Sequence, residues 1–66
     1  MVFKEFWNAL ARDKREAFAK RCGVSKGHLN NIASGSRQAS PWLAYKIEQE
    51  SNGMVTKESV RPDAKW

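Results

Sequence analysis

The sequence lacks the residues that crosslink or ligate most very small proteins. Its 66 residues include one cysteine, Cys22, and one histidine, His28. A single cysteine cannot form an internal disulfide, and the chain has no cluster of cysteines and histidines to hold a structural metal. We therefore expect the fold to depend on an apolar core, near the lower size limit for a domain, with no metal and no cofactor.

Long apolar runs and catalytic constellations are also missing. No run approaches the roughly 20 apolar residues of a membrane span, and the first ten residues contain the acid Glu5 and the amide Asn8, unlike the uninterrupted apolar stretch of a signal peptide. The sequence shows no suggestive carboxylate pair, no glycine-rich phosphate loop and no metal-ligand spacing. These absences predict a soluble, cytoplasmic protein that is not an enzyme and has neither a membrane nor a small molecule as its partner.

Positive charge is concentrated in one part of the chain. The formal net charge is +5, and the window from Arg12 to Arg37 holds seven basic residues against two acids, Asp13 and Glu16. Such a patch suits a polyanion, with nucleic acid ahead of an acidic protein or a membrane surface. The alternative is a solvated face that keeps a small protein soluble.

The spacing of apolar residues predicts two amphipathic helices in the first third of the chain. The first covers about residues 2–11 and the second about residues 14–22. We expect Asp13 to cap the second helix, with Glu16 completing a capping box, and Gly23 to end it in a left-handed conformation. The residues expected to be buried are Phe3, Phe6, Trp7, Leu10, Ala17, Phe18, Ala19 and Cys22.

Two further helices and a short helical turn are predicted in the rest of the chain. The third helix covers about residues 26–33 after Ser25, and the fourth follows Ser40, both serines being natural N-caps. One short turn is expected from Thr56 to Val60. The fold class is therefore all-α, a compact bundle of four to five short helices in one domain over residues 1–66. Gly35 and Gly53 are expected to end the third and fourth helices, and Pro41 to occupy the first turn of the fourth. The residues expected to be buried in this part of the chain are Val24, Leu29, Ile32, Ala33, Leu43, Ala44 and Ile47.

The predicted third helix has an unusual polar face. Its outer side carries small amides and hydroxyls with one Lys and one Gly, all poor or neutral helix formers except Lys. Hydrogen bonding to DNA base edges would explain this composition, because an Asn amide matches the donor and acceptor of adenine, and Lys reaches the two acceptors of guanine. Gly27 would let the helix approach closely.

Residues Arg15 to Ser34 resemble the helix-turn-helix of the Cro/CI-type family of phage and bacterial repressors, in particular its small Cro-like and YdaS-like members. Ala19 matches the small position where the two motif helices touch, and Gly23 matches the turn. The C-terminal segment, residues 47–66, is also similar to the end of YdaS-like proteins, which close with an RPD-and-tryptophan sequence. The resemblance implies a lambda-repressor-like DNA-binding domain. The buried motif positions are Phe18, Cys22 (where Leu is more usual), Val24, Leu29 and Ile32.

The resemblance also implies a role for each polar residue around the motif. Three residues have simpler interpretations. Ser25 could be only a helix cap and Asn31 only a solvated surface residue. His28 is expected to be a flanking contact or a plain surface residue. The implied base contacts are Lys26, Gly27, Asn30 and Asn31. The implied DNA backbone contacts are Lys14, Arg15, Ser25, Ser34, Arg37 and Gln38. Of these, Ser25 and Ser34 are borderline between base and backbone contacts, and Gln38, like Ser40, is a weaker candidate.

The implied function is a sequence-specific transcriptional repressor in a bacterial cell or phage-infected host. It would bind double-stranded operator DNA as a homodimer, with two recognition helices in successive major grooves about 34 Å apart. The candidate dimer residues are Trp42, Tyr45, Met54, Val55 and Trp66. Instead of forming an interface, the tail, residues 54–66, could fold back and complete the monomer core. Trp42 could instead lie along the DNA backbone. A second hypothesis is a protein-interaction module, such as an antitoxin whose main partner is a toxin protein; RNA binding is a weaker third.

Overall fold

Five short helices form the framework of the protein. The computed structural model describes residues 2–64. The helices are α1 (Phe3–Ala9), α2 (Arg12–Cys22), α3 (Lys26–Ser34), α4 (Pro41–Glu50) and α5 (Lys57–Val60), and this range contains no strand. α1 packs on α3, α2 packs on both α3 and α4, and α4 packs on α5. The predicted all-α bundle is confirmed.

Aromatic side chains of α1 and α2 occupy the centre of the core. Trp7 is 1% exposed, its ring centroid lies 5.7 Å from that of Phe3, and it meets Phe18 edge-on at 6.4 Å. Tilted and edge-on pairs are the arrangements that the aromatic quadrupole favours. Leu10 packs against this core from just beyond α1. The other core residues are Phe6, Ala19, Cys22, Leu29, Ala39, Leu43, Ala44, Ile47 and Val55.

The second helix begins earlier than predicted, and the expected capping box is wrong. α2 starts at Arg12, and Ala11 takes the extended N-cap conformation with no side-chain cap bond. Asp13 therefore lies inside the first turn, where a carboxylate interacts favourably with the positive end of the helix dipole. Ala17 is exposed rather than buried. Each residue turns the helix by about 100°, so Ala17 lies roughly 200° away from the buried Ala19.

The predicted caps of α3 and α4 are confirmed. Ser25 Oγ accepts a hydrogen bond from the His28 N–H at 3.1 Å, and Ser40 Oγ accepts one from the Leu43 N–H at 3.2 Å. Gly35 ends α3 in the left-handed region. Because these contacts span only three or four residues, they can be predicted from sequence.

The end of α4 differs from the prediction that Gly53 stops the helix. α4 ends at Glu50, and Asn52 already has the left-handed conformation, with φ 57°. The Gly53 N–H then donates to the Glu48 carbonyl at 2.9 Å. Asparagine tolerates the left-handed region better than most residues, so the reversal begins at Asn52 and continues through Gly53, whose φ is 80°.

The segment after α4 folds back onto the bundle. Val55 is fully buried, and the buried Ser51 hydroxyl accepts a hydrogen bond from its N–H at 3.1 Å. Arg61 donates to the Ala39 carbonyl at 2.7 Å and so ties α5 to the start of α4. Val55 is therefore a core residue, and its assignment to a dimer interface is wrong. Trp66 lies outside the described residues.

Candidate nucleic-acid interface

A three-residue turn joins α2 to α3. Gly23 has φ 78°, a left-handed conformation that glycine adopts without strain. The Val24 N–H donates to the Ala19 carbonyl at 3.1 Å, and Ser25 then caps α3. Leu29 is fully buried, so it anchors the inner side of α3 to the core. The turn and this anchor set the direction in which the opposite side of α3 faces.

The outer side of α3 is polar and open to solvent. Lys26, Gly27, Asn30 and Asn31 are all exposed, and α3 contains no acidic residue. The structure thus brings the four predicted base-contact residues onto one accessible face. The Asn31 amide has no hydrogen-bond partner among residues 2–64. Donors and acceptors on this face are available to a ligand.

Both ends of this face are organised by local hydrogen bonds. At the N-terminus Ser25 acts as a cap, which leaves its role as a DNA backbone contact a prediction. At the C-terminus Ser34 Oγ donates to the Asn31 carbonyl at 3.0 Å and meets Ser36 Oγ at 3.1 Å. The Arg37 N–H also reaches the Asn31 carbonyl, at 3.3 Å. Arg37 is therefore held at the end of α3, with its side chain exposed, as is that of Gln38 next to it.

A cluster of three side chains supports the middle of the face, and sequence reasoning missed it. Arg15 Nε donates to the Trp7 carbonyl at 3.0 Å, and Arg15 Nη2 donates to the Asn8 carbonyl at 3.3 Å. The guanidinium carbon also lies 5.7 Å from the Trp7 ring centroid, a cation–π distance. Trp7 Nε1 in turn donates to Asn30 Oδ1 at 3.4 Å. No local pattern signals a contact between residues 23 positions apart.

The two predicted phosphate-binding residues of α2 lie in different places. Arg15 borders a pocket of about 230 Å³ that is lined by Trp7, Lys26, Gly27 and Asn30 as well. Lys14 instead borders a groove of about 340 Å³ whose lining contains no α3 residue. The groove is lined by Phe6, Leu10, Asp13, Ala17, Phe18, Arg21 and Glu50 besides Lys14. Arg15 therefore adjoins the predicted base contacts, whereas Lys14 does not share their pocket.

Three of the predicted dimer residues are large apolar side chains that are exposed to solvent. Trp42 is 59% exposed, Tyr45 46% and Met54 55%. The Trp42 ring lies against the turn, since a Cβ added to Gly23 would stand 3.7 Å from Trp42 Cη2. Of the predicted dimer residues in the described range, these three have surface for a partner.

The pKa of the buried Cys22 thiol shows whether this side chain is reactive. Burial raises the pKa of Cys22 from 9.0 to about 11, with Glu50 adding to the shift and Lys46 opposing it. A thiol this hard to ionise is a poor nucleophile, in agreement with the prediction that Cys22 is a buried apolar residue. Within residues 2–64 no three His, Cys, Asp or Glu side chains are grouped to hold a metal ion. No helix in that range is long and apolar enough to cross a membrane.

The fold and this face define a small, basic, all-α protein with one polar helix side exposed beside a glycine turn. No protein-family model matches the chain. A prophage transcriptional regulatory protein of Escherichia coli strain K12 is 35% identical over 60 residues, which is 91% of each of the two chains. The chain belongs to the family of this prophage regulator.

Proposed function

We propose that the protein is a sequence-specific, DNA-binding transcriptional repressor of the Cro-like kind. The observation that carries the proposal is the outer face of α3. It presents exposed amides and one lysine with no acidic side chain, while Leu29 fixes the helix from behind. The name of the E. coli relative supports a role in transcription.

In this proposal α2 and α3 form a helix-turn-helix, and α3 is the recognition helix. Lys26, Asn30 and Asn31 would hydrogen-bond to base edges in the major groove, and Gly27 would let the backbone approach. Arg37, at the end of α3, would bind one DNA phosphate. Arg15 would bind another beside the start of α3, using the guanidinium N–H groups that do not donate to the Trp7 and Asn8 carbonyls.

Repression would follow from occupancy of an operator by a homodimer. One recognition helix covers only a few base pairs, so two copies related by a two-fold axis would read a palindrome. The exposed Trp42, Tyr45 and Met54 are the candidate interface residues. Large aromatic side chains are the type enriched at interface hot spots.

The test is a selection of bound sequences from random duplex DNA, followed by affinity measurements on the selected site. The wild-type protein should select a palindromic consensus. Asn30→Ala should weaken binding to that site by about 1–3 kcal/mol and broaden the preference at one base pair per half-site. Gln49→Ala, an exposed amide on α4, is the matched control and should leave the consensus unchanged. If Asn30→Ala bound the selected duplex as tightly as the wild-type protein does, and random duplexes as weakly as the wild-type protein does, the base-reading role of Asn30 would be refuted.

The same exposed apolar residues also favour a second candidate function, a protein-interaction module such as an antitoxin. Trp42, Tyr45 and Met54 could then bind a different protein rather than a second copy. Co-purification with a stoichiometric protein, together with no selected DNA consensus, would support this candidate over the first.

A further inference from the structure

The hydrogen bond between Trp7 and Asn30 restricts what Asn30 can present to a ligand. Trp7 lies in α1 and is 1% exposed, whereas Asn30 is exposed on α3. Trp7 Nε1 stands 3.4 Å from Asn30 Oδ1. The bond therefore joins the core to the proposed reading face.

The chemistry of the two groups decides the orientation of the amide. An indole nitrogen carries a hydrogen and can only donate, whereas an Asn amide has one accepting oxygen and one donating NH₂ group. The oxygen of Asn30 must therefore face Trp7. A flipped amide would oppose two donors and leave a buried N–H without a partner, which is costly.

Trp7 is held firmly enough to impose this orientation. Phe3 and Phe18 pack on its ring. Arg15 also lies over the ring, with its guanidinium carbon 5.7 Å from the centroid, and donates to the Trp7 carbonyl at 3.0 Å. The indole N–H is a fixed donor in the wall of the pocket, and the exposed amide on α3 adapts to it.

We propose that Trp7 is a specificity-determining positioning residue that makes Asn30 a donor toward DNA. This inference rests on the proposed DNA-reading function and deepens it. With its oxygen turned toward Trp7, Asn30 presents its N–H groups outward and keeps only the second lone pair of that oxygen for a base, so it favours a base with adjacent acceptors. Guanine shows O6 and N7, both acceptors, whereas adenine shows N7 beside a donor. Asn30 should therefore favour guanine over the adenine that a free Asn side chain pairs with best.

The DNA test uses the duplex selected by the wild-type protein, altered at the base pair that responds to Asn30→Ala. Guanine at this position should bind about tenfold or more tightly than adenine. Trp7→Phe frees the amide, so its preference should shift from guanine toward adenine. Asn30→Asp keeps the oxygen facing Trp7 but removes the donors, and should abolish the guanine preference. Ile47→Val is a core control that should weaken the fold without changing the preferred base.

A second measurement does not depend on DNA or on a folded Trp7→Phe variant. The Trp7 indole N–H resonance, measured by ¹H–¹⁵N NMR, should shift and exchange faster with solvent in Asn30→Ala. It should stay protected in Asn30→Asp, which retains an acceptor. An unchanged Trp7 resonance in Asn30→Ala would overturn the inference.

The two proposals fail in distinguishable ways. If Asn30→Ala alters no base preference, the base-reading role itself is wrong. If Asn30→Ala alters a preference that is for adenine, the base-reading role stands and the inference that Trp7 makes Asn30 a donor toward DNA is wrong, whatever Trp7→Phe does.

Discussion

Replacing Gly27 with alanine should move protein stability and DNA affinity in opposite directions. Gly27 is the second residue of α3 and has no left-handed φ that would require glycine. A Cβ added there meets no heavy atom within 4 Å outside its chain neighbours and the backbone of its own helix. The free protein therefore has room for the methyl group.

The expected gain in stability follows from the helix propensities. Alanine is favoured over glycine in a helix by about 0.5–1 kcal/mol, mainly because glycine loses more backbone entropy on folding. In a domain of this size that corresponds to a rise in melting temperature of about 2–8 °C. Gly35→Ala is the matched control: its surroundings are equally open, but its φ of 88° penalises any side chain. It should destabilise the protein by about 1 kcal/mol.

The expected loss of DNA affinity follows from the position of Gly27 on the exposed outer face of α3, which we propose meets the DNA. A methyl group at position 27, between α3 and the DNA, would hold the helix away from the groove, and one lost base contact costs about 1–3 kcal/mol. Thermal unfolding by circular dichroism and anisotropy titration of the selected duplex measure the two effects separately. A destabilised Gly27→Ala protein would show that the space beside Gly27 is not open. Unchanged affinity would show that Gly27 does not meet the DNA.

Two further predictions concern pH and salt. The unfolded Cys22 thiol ionises near pH 9 and the folded one near pH 11. The unfolded chain thus binds fewer protons between these values, and the free energy of unfolding should fall by up to about 2–3 kcal/mol as pH rises through that window. Urea unfolding at each pH measures this, with Cys22→Ala showing the smaller fall. Arg37→Gln should weaken binding to all duplexes alike and reduce the slope of log affinity against log salt by about one.

Each of these predictions has an outcome that would contradict it. Identical pH profiles for the wild-type protein and Cys22→Ala would mean that the thiol is not differentially buried in the folded state. A salt slope unaffected by Arg37→Gln would mean that this side chain displaces no counterion from the DNA, and a loss confined to the selected site would assign Arg37 to base reading.

Short-range interactions made much of the helix framework predictable. Ser25 and Ser40 bond to backbone N–H groups three residues ahead, and Gly23 takes a left-handed turn whatever the remote surroundings. Asp13 shows the limit of the same reasoning. The spacing of Asp13 and Glu16 fits a capping box, but α2 begins at Arg12, one residue before Asp13, with Ala11 as its N-cap. A capping pattern alone therefore does not decide at which of several adjacent residues a helix begins.

The polar face of α3 was also predictable, because the period of the helix alone separates Leu29 from Asn30 and Asn31. The assignment of Val55 was not. Spacing cannot distinguish an apolar residue that meets a second copy from one that folds back on its own chain. The hydrogen bond from the Val55 N–H to the Ser51 hydroxyl requires the chain to reverse direction at Asn52, which brings Val55 back onto the bundle.

By itself, the sequence determined the approximate positions of the helices, the serine caps of α3 and α4 and the side of α3 that faces water, since these depend on contacts within one or two turns. The tertiary structure alone decided that Val55 completes the core, that Trp42 lies over Gly23 and that Trp7 donates to Asn30. These contacts join residues far apart along the chain. Their geometry exists only after the helices have packed, so no local pattern of residues encodes it.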